Sequence, residues 1–419
     1  MLASIVITFV LGYLLIVFEH PLGINKTASA LLTGILCWVW MILGSEDHTQ
    51  VLGELSHHLA GISEILFFLL GAMTIVEVID SHYGFRKITS RIRVKTPLQL
   101  LWVLSILAFF LSAVLDNLTT AIVMASLIRK MVKDSQWRLY MVSIIVIAAN
   151  AGGAWSPIGD VTTTMLWVGG QISAGSVVQH LFFPSIISLL VPLALVSWFL
   201  KDKPGELHPE ESGDLFVDGA GLILSMGLGG LMMVPVFKTL THLPPYMGIL
   251  LVLALVWGLT EILHRKRQAD DRSRLSPSHA LSKIDTPSIL FFLGILLAVS
   301  SLESTHILSD LAGKLDTSLG NKDLIVVLIG LVSAIVDNVP LVAASIGMYD
   351  LSTFPIDHRF WTFLAFTSGT GGSILIIGSA AGVAVMGMEK VDFVWYAKRI
   401  AWLAMLGYFA GVAWLLLFL

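Results

Sequence analysis

Runs of apolar residues, separated by short polar stretches, set the pattern of this chain. About 20 apolar residues cross a bilayer as one helix. The runs predict ten spanning segments, near 2–18, 27–43, 62–80, 138–170, 180–200, 220–237, 245–263, 287–303, 360–388 and 397–418. Two of these are interrupted, 138–170 by Asn150-Ala-Gly-Gly and Pro157-Ile-Gly-Asp, and 360–388 by glycines. Two further apolar regions, 97–132 and 323–350, each hold an Asp-Asn pair. The first is Asp116-Asn117 in SAVLDNLTTAIVM, and the second is Asp337-Asn338 in SAIVDNVPLVAAS. An ionised carboxylate deep in hydrocarbon costs about 2.5–3.5 kcal/mol even on a lenient insertion scale. A chain that carries this cost twice, at matched places, is expected to use both acids.

The order of segments recurs. Phe68-Leu69-Leu70-Gly71 resembles Phe291-Phe292-Leu293-Gly294, and Ser112–Asn117 aligns with Ser333–Asn338. Gly152, Gly153 and Gly159 align with Gly371, Gly372 and Gly378 at one offset of 219 residues. The expected fold is therefore an all-α polytopic membrane protein of two inverted-topology repeats. Each repeat has spanning helices, one re-entrant hairpin and one broken helix. Repeat 1 covers 1–200, with its hairpin at about 97–132 and its broken helix at about 138–170. A cytoplasmic linker follows at 201–218. Repeat 2 covers 219–419, with its hairpin at about 323–350 and its broken helix at about 360–388.

Charge supports the inversion. With hairpins that enter and leave on one side, each half crosses five times, so the halves face opposite ways. Placing both termini outside puts 19–26, 81–96, 129–138, 201–218, 264–286 and 389–399 in the cytoplasm. These segments hold 21 of the 25 Lys and Arg residues, leaving Lys238, Lys314, Lys322 and Arg359 elsewhere. That is a strong positive-inside bias. The segment 44–61 carries acids and histidines but no Lys or Arg, as an external loop would. The N-terminus lacks a basic leader and reads as a retained first span. The expected home is a bacterial inner (cell) membrane.

Composition narrows the class. Residues are 56% apolar and 13% charged, against about 25% charged in soluble domains. The net charge of −4 points to no nucleic-acid partner. The single cysteine, Cys37, lies in an apolar run and supports neither a disulfide framework nor a Cys-based metal site.

The candidate chemistry lies at the two hairpin tips and the two breaks. Irregular backbone at membrane depth needs protein or a watery cavity around it. The first tip offers Asp116, Asn117 and Thr119, and the first break Asn150, Asp160, Thr162 and Thr163. The second tip offers Asp337 and Asn338, and the second break Ser373 and Ser379. All these donors are oxygens, which suit a hard cation such as Na⁺ or Li⁺. Burial raises a carboxylate's pKa and a nearby cation lowers it, so one Asp holds a metal ion or a proton but seldom both. That competition is the simplest basis for cation/proton exchange. The plainer reading is that Asp and Asn cap the inner half-helices. Glu77 and Asp80, near the cytoplasmic end of a span, are secondary candidates for a proton path or simply a solvated helix end.

These residues resemble the NhaD-type sodium/proton antiporters of the ion transporter superfamily. The resemblance runs through FFLLGAMTIVEVID at 67–80, DNLTTAIVM at 116–124, NAGGAWSPIGDVTTTMLW at 150–167 and DNVPLVAA at 337–344. It implies an inverted-repeat fold with two hairpins, two unwound helices and a separate scaffold, a homodimer, and elevator-like movement of the transport unit. By resemblance Asp116, Asn117, Asn150, Asp160, Thr162, Thr163, Asp337 and Ser373 carry over as ion-site or proton-coupling residues. Na⁺ is expected at Asp116, Asn117, Asp160 and Asp337. Ser379 stands where Asp160 would recur, so the site is chemically asymmetric.

The expected function is Na⁺ (or Li⁺)/H⁺ antiport, with Na⁺, Li⁺, H⁺ and the lipid bilayer as partners and no cofactor. The alternative is Na⁺-coupled dicarboxylate uptake. Relatives with that activity have neutral tips, whereas Asp116 and Asp337 would repel an anion. An intramembrane enzyme lacks support, since neither HExxH nor a paired-aspartate motif is present.

Overall fold

The apolar runs fold as helices whose starts are fixed by capping side chains. The computed structural model describes residues 1–419 except 90, 91, 93, 202–206, 208–216, 218 and 266–272. Most of the expected linker 201–218 and part of the basic stretch 82–95 therefore lie outside the described residues. The first half runs α1 (Leu2–Val17), α2 (Glu19–Leu22), α3 (Lys26–Leu43), α4 (His48–Ser81), α5 (Gly84–Thr89), α6 (Pro97–Leu115), α7 (Asn117–Met131), α8 (Ser135–Ala154), α9 (Val161–Val168) and α10 (Ala174–Leu200). The second half runs α11 (Ala220–Thr241), α12 (Pro245–His264), α13 (Pro277–Lys283), α14 (Thr286–Ser304), α15 (Ile307–Leu319), α16 (Lys322–Val332), α17 (Asn338–Met348), α18 (Arg359–Gly371), α19 (Ala380–Glu389), α20 (Phe393–Arg399) and α21 (Ala401–Phe418).

Among the described residues nine helices are long and apolar enough to cross a membrane: α3, α4, α6, α8, α10, α11, α12, α14 and α21. The ten expected spans differ from these for local reasons. α1 is only 16 residues long. The segment at 360–388 splits into α18 and α19, each too short alone. α6, expected as one arm of a hairpin, is itself a predominantly apolar helix of 19 residues.

Two polar stretches fold differently from expectation. The segment 44–61 is mostly helix, because Asp47 accepts hydrogen bonds from Thr49 and Gln50 and starts α4 well before the apolar run. Val51, Leu55 and Ile62 fall at helical spacing there and face the protein, which the charge count did not reveal. The stretch 304–322 holds α15, which buries Leu308 and Ala312.

Helices α3 and α14, and α4 and α12, pack against each other, with α1 on α3 and α11 on α12. A second set comprises α6–α10, α16–α19 and α21. Within it α6 and α7 both lie on α8, α16 lies on α18, and α8 crosses α18. The two sets meet where α14 touches α17 and α4 touches α9.

The aligned glycines sit at matched contacts in the two halves. A Cβ on Gly152 would fall 2.2 Å from the Phe109 carbonyl oxygen, and one on Gly371 would fall 2.0 Å from that of Gly330. Gly159 and Gly378 approach the Ser112 and Ala334 carbonyls equally closely, at 2.6 Å each. Ser112 and Ser333 donate to the Ala149 and Ser368 carbonyls. Backbone lies against backbone here, so only glycine fits.

Candidate functional site

Each of the four interruptions ends in a side-chain cap on the inner half-helix that follows. Asp116 begins α7, with its Oδ1 accepting the Thr119 N–H at 2.7 Å and its Oδ2 accepting the Thr119 hydroxyl at 2.8 Å. Asp160 begins α9, accepting the Thr162 N–H at 3.5 Å. Asp337 begins α17 through the Val339 N–H at 3.2 Å. Ser379 begins α19 through the Gly382 N–H at 3.2 Å. Capping is thus real at all four places. The caps differ in what else they do.

The two tips are not alike. The first is a single residue, Asp116, at φ 107° and ψ 159°. That region is essentially reserved for glycine and costs a side-chain-bearing residue about 1–3 kcal/mol. The second spreads its turn over residues 333–337 and leaves Asp337 at an ordinary φ of −49°. Strain therefore accumulates at one tip only. Structures retain such strain where surrounding packing over-determines it, often at functional positions.

The tip asparagines turn inward and join the breaks. Asn117 Nδ2 donates to Asn150 Oδ1 at 2.9 Å. Asn150 Nδ2 in turn donates to the Ser373 and Ser379 hydroxyls, both at 2.9 Å. All four side chains are buried. This chain of polar groups ties the first tip to both breaks, and every link is a hydrogen bond of ordinary length.

The residues aligned with these in sequence form a second group that is left incomplete. Asn338 Nδ2 reaches Asp160 Oδ2 at 3.5 Å, at the edge of hydrogen bonding. Gly369 and Ala154 stand where the first group has Asn150 and Ser373. A Cβ on Gly369 would lie 3.2 Å from the Ala154 Cβ and 3.3 Å from Asp160 Oδ2. Asp160 is 2% exposed, and no cationic side chain is paired with it among the described residues. The Thr162 hydroxyl beside it is buried, and although it lies close enough to act on the Asp160 carboxylate it makes no hydrogen bond of good geometry. Asp160, the Thr162 hydroxyl and the Asn338 amide thus gather buried oxygens of the kind that suit a small hard cation.

The remaining polar residues sort by contact. Thr163 donates to the Asp160 carbonyl at 2.9 Å and Thr164 to the Pro157 carbonyl at 3.1 Å, so both brace the break. Thr367, Ser368 and Thr370 bond back to their own helix. Glu77 pairs with Lys283 at 3.6 Å and accepts from Ser81, and Asp80 is exposed on the same helix end. Neither joins the central cluster.

Three groups at the site carry no obvious mark in the sequence. Lys26, at the start of α3, places its ammonium 3.4 Å from Asp337 Oδ2. Tyr13, Glu19, Lys26, Asp337 and Ser379 line one cavity of about 100 Å³ between α1, α3 and the second tip. Lys238 of α11 donates to the Trp167 carbonyl at 2.9 Å, at the C-terminal end of α9, and lies over the Trp167 ring.

Membrane-length helices around two broken ones, with polar side chains gathered at the breaks, define a multi-pass integral membrane protein of the transporter class. The chain belongs to the family whose model is described as CitMHS, citrate transporter, which matches residues 13–371. Among its relatives, "Sodium/proton antiporter 1" of Arabidopsis thaliana is 52% identical over 412 residues, covering 98% of this chain and 71% of the relative. "Sodium/proton antiporter 2" of the same plant is 50% identical over 408 residues, covering 96% of each. "Na(+)/H(+) antiporter NhaD" of Alkalimonas amylolytica is 31% identical over 435 residues, covering 97% of this chain and 88% of the relative. The resemblance read from the motifs is borne out, and the family is one of transporters, not enzymes.

Proposed function

We propose that this protein exchanges Na⁺ or Li⁺ for H⁺ across a membrane, with Asp160 as the central carboxylate. The observation that carries this reading is the contrast between the two polar groups. The Asn117–Asn150–Ser373–Ser379 chain satisfies itself. The Asp160 group leaves a buried carboxylate and the Thr162 hydroxyl without full partners. A cation ligated by Asp160, Thr162 and Asn338 would complete it, and a proton on Asp160 would neutralise it. Both at once are disfavoured, and that exclusion couples the two fluxes. The relatives named for sodium/proton antiport support this cargo.

The two halves act as inverted repeats, and the set carrying the tips and breaks moves as an elevator against α1, α3, α4, α11, α12 and α14. The matched glycine contacts and the charge distribution support the inversion. The active form is a homodimer with both termini outside. A bacterial cell membrane gains no support from the relatives at 50% identity or more named above, which are plant proteins.

The family description raises carboxylate uptake as a second reading. Three aspartates at the tips and breaks disfavour an anion there, and the sodium/proton relatives weigh the same way. Everted vesicles loaded with a pH-sensitive dye separate the two. Na⁺, Li⁺, K⁺, succinate and citrate are added side by side. Dequenching by Na⁺ or Li⁺ alone is the expected result. A signal that needs a carboxylate would overturn the reading.

A further inference from the structure

One cation of the protein itself already stands at the second tip. Lys26 places its ammonium 3.4 Å from Asp337 Oδ2 and 4.5 Å from the Phe291 ring centroid, with the two side chains 27% and 19% exposed. The residues are 311 apart in sequence and belong to the two different sets of helices. Lys26 is also the first residue of α3, where a positive charge opposes the helix dipole. Its placement is thus not explained by helix stability. The pair is longer than a tight charge-assisted hydrogen bond, about 2.7–2.9 Å. Lysine is moreover a mobile point charge and not a rigid fork. The contact is therefore of a kind that another cation can replace.

The surroundings provide for that replacement. The cavity beside the pair is lined by Tyr13, Glu19, Lys26, Asp337 and Ser379, and so reaches from α1 to the cap of α19. Glu19 accepts the Lys26 backbone N–H at 3.1 Å, which holds a second carboxylate beside the base of the lysine side chain.

We propose that Lys26 is the resident counter-cation of Asp337, paired with it while the transported ion is absent and released toward Glu19 when that ion enters the cavity on its way to Asp160. The proposal rests on the cation-exchange reading. It makes Lys26 a competitor of the cargo and a coupling residue between the two helix sets. Every carboxylate ends with a cation, because the arriving ion replaces the ammonium at Asp337 and the ammonium meets Glu19, which had only the Lys26 backbone N–H before.

The test uses the full chain, purified and reconstituted in liposomes, with proton flux read against Na⁺ concentration. Lys26→Met should lower the half-saturating Na⁺ concentration by about tenfold, since a unit charge a few ångströms from the site is removed. It should also slow the maximal rate, because nothing displaces the ion from Asp337. Lys26→Arg, which keeps the charge, should shift half-saturation far less. Glu19→Gln keeps the backbone acceptor but removes the alternative partner, so half-saturation should rise. A purely structural ion pair would lower rate or thermal stability without tightening Na⁺. Unchanged or weakened Na⁺ affinity in a folded Lys26→Met would overturn the proposal. If that variant does not fold, unchanged half-saturation in Glu19→Gln overturns it instead. Absence of Na⁺-driven flux in the unmodified protein would sink the exchange reading itself, which is a different result.

Discussion

Asn338 of the second half points its amide at the carboxylate of Asp160 in the first half, 3.5 Å away across 178 residues of sequence. The contact joins the tip of one half to the inner helix of the other. Together with the Thr162 N–H contact, also 3.5 Å, it is the longest polar contact that an acid makes in the central cluster. We therefore expect Asp160→Asn to abolish Na⁺-driven proton flux while leaving the fold intact. Asparagine caps helices as well as aspartate, so the melting temperature should move by no more than about 1 kcal/mol would dictate. Dye dequenching and a thermal melt in detergent check the two halves of this statement. Flux at the unmodified rate would remove Asp160 from the site.

Competition between ion and proton has a definite sign. Only the ionised Asp160 attracts a cation, and protonation favours its neutral form. The half-saturating Na⁺ concentration should therefore rise as pH falls. Transport assays or calorimetric Na⁺ titrations at a series of pH values measure it, and each reports macroscopic behaviour of coupled acids. Affinity that is independent of pH would argue for separate sites.

The glycine contacts predict where a single methyl group is not tolerated. Gly152→Ala and Gly371→Ala each drive a Cβ to 2.2 and 2.0 Å from a backbone carbonyl oxygen. Overpacking of this kind costs about 1–3 kcal/mol or more, because backbone must shift. Gly258→Ala on α12 meets nothing within 4 Å and should be neutral. Expression level and melting temperature of the three variants, compared together, provide the check.

The N-terminus of α8 and the C-terminus of α19 are joined by Arg138 and Glu389 at 2.6 Å, with Arg129 3.9 Å from the same carboxylate. Glu389 has a side chain only 2% exposed. Glu389→Ala should destabilise by about 1–2 kcal/mol, since it removes the charge partner of Arg138, which water reaches in part. The melting temperature should fall and the Na⁺ half-saturation of whatever protein folds should stay. A melting temperature equal to the unmodified protein's would show that the pair contributes nothing.

Much of the architecture was legible in the sequence because polar residues stand out inside apolar runs. Asp116, Asp160, Asp337 and the aligned glycines were visible for that reason, and the matched contacts of Gly152 and Gly371 follow from their alignment. The helical start of α4 was not legible, because acids and histidines on its exposed face masked the spacing of Val51, Leu55 and Ile62. Nor were Asn338 with Asp160, or Lys26 with Asp337. Those pairs depend on how the halves interlock, and no local pattern records that. Lys26 in particular looked like one more basic residue in a cytoplasmic turn.

The glycine-lined seams have one more consequence. At Gly152 and Gly371 the backbones of α6 and α8, and of α16 and α18, touch with no side chain between them, and a water molecule does not fit at either contact. For a carrier proposed to handle protons, such a seam works as insulation. It keeps an idle molecule from short-circuiting the gradient it is meant to use.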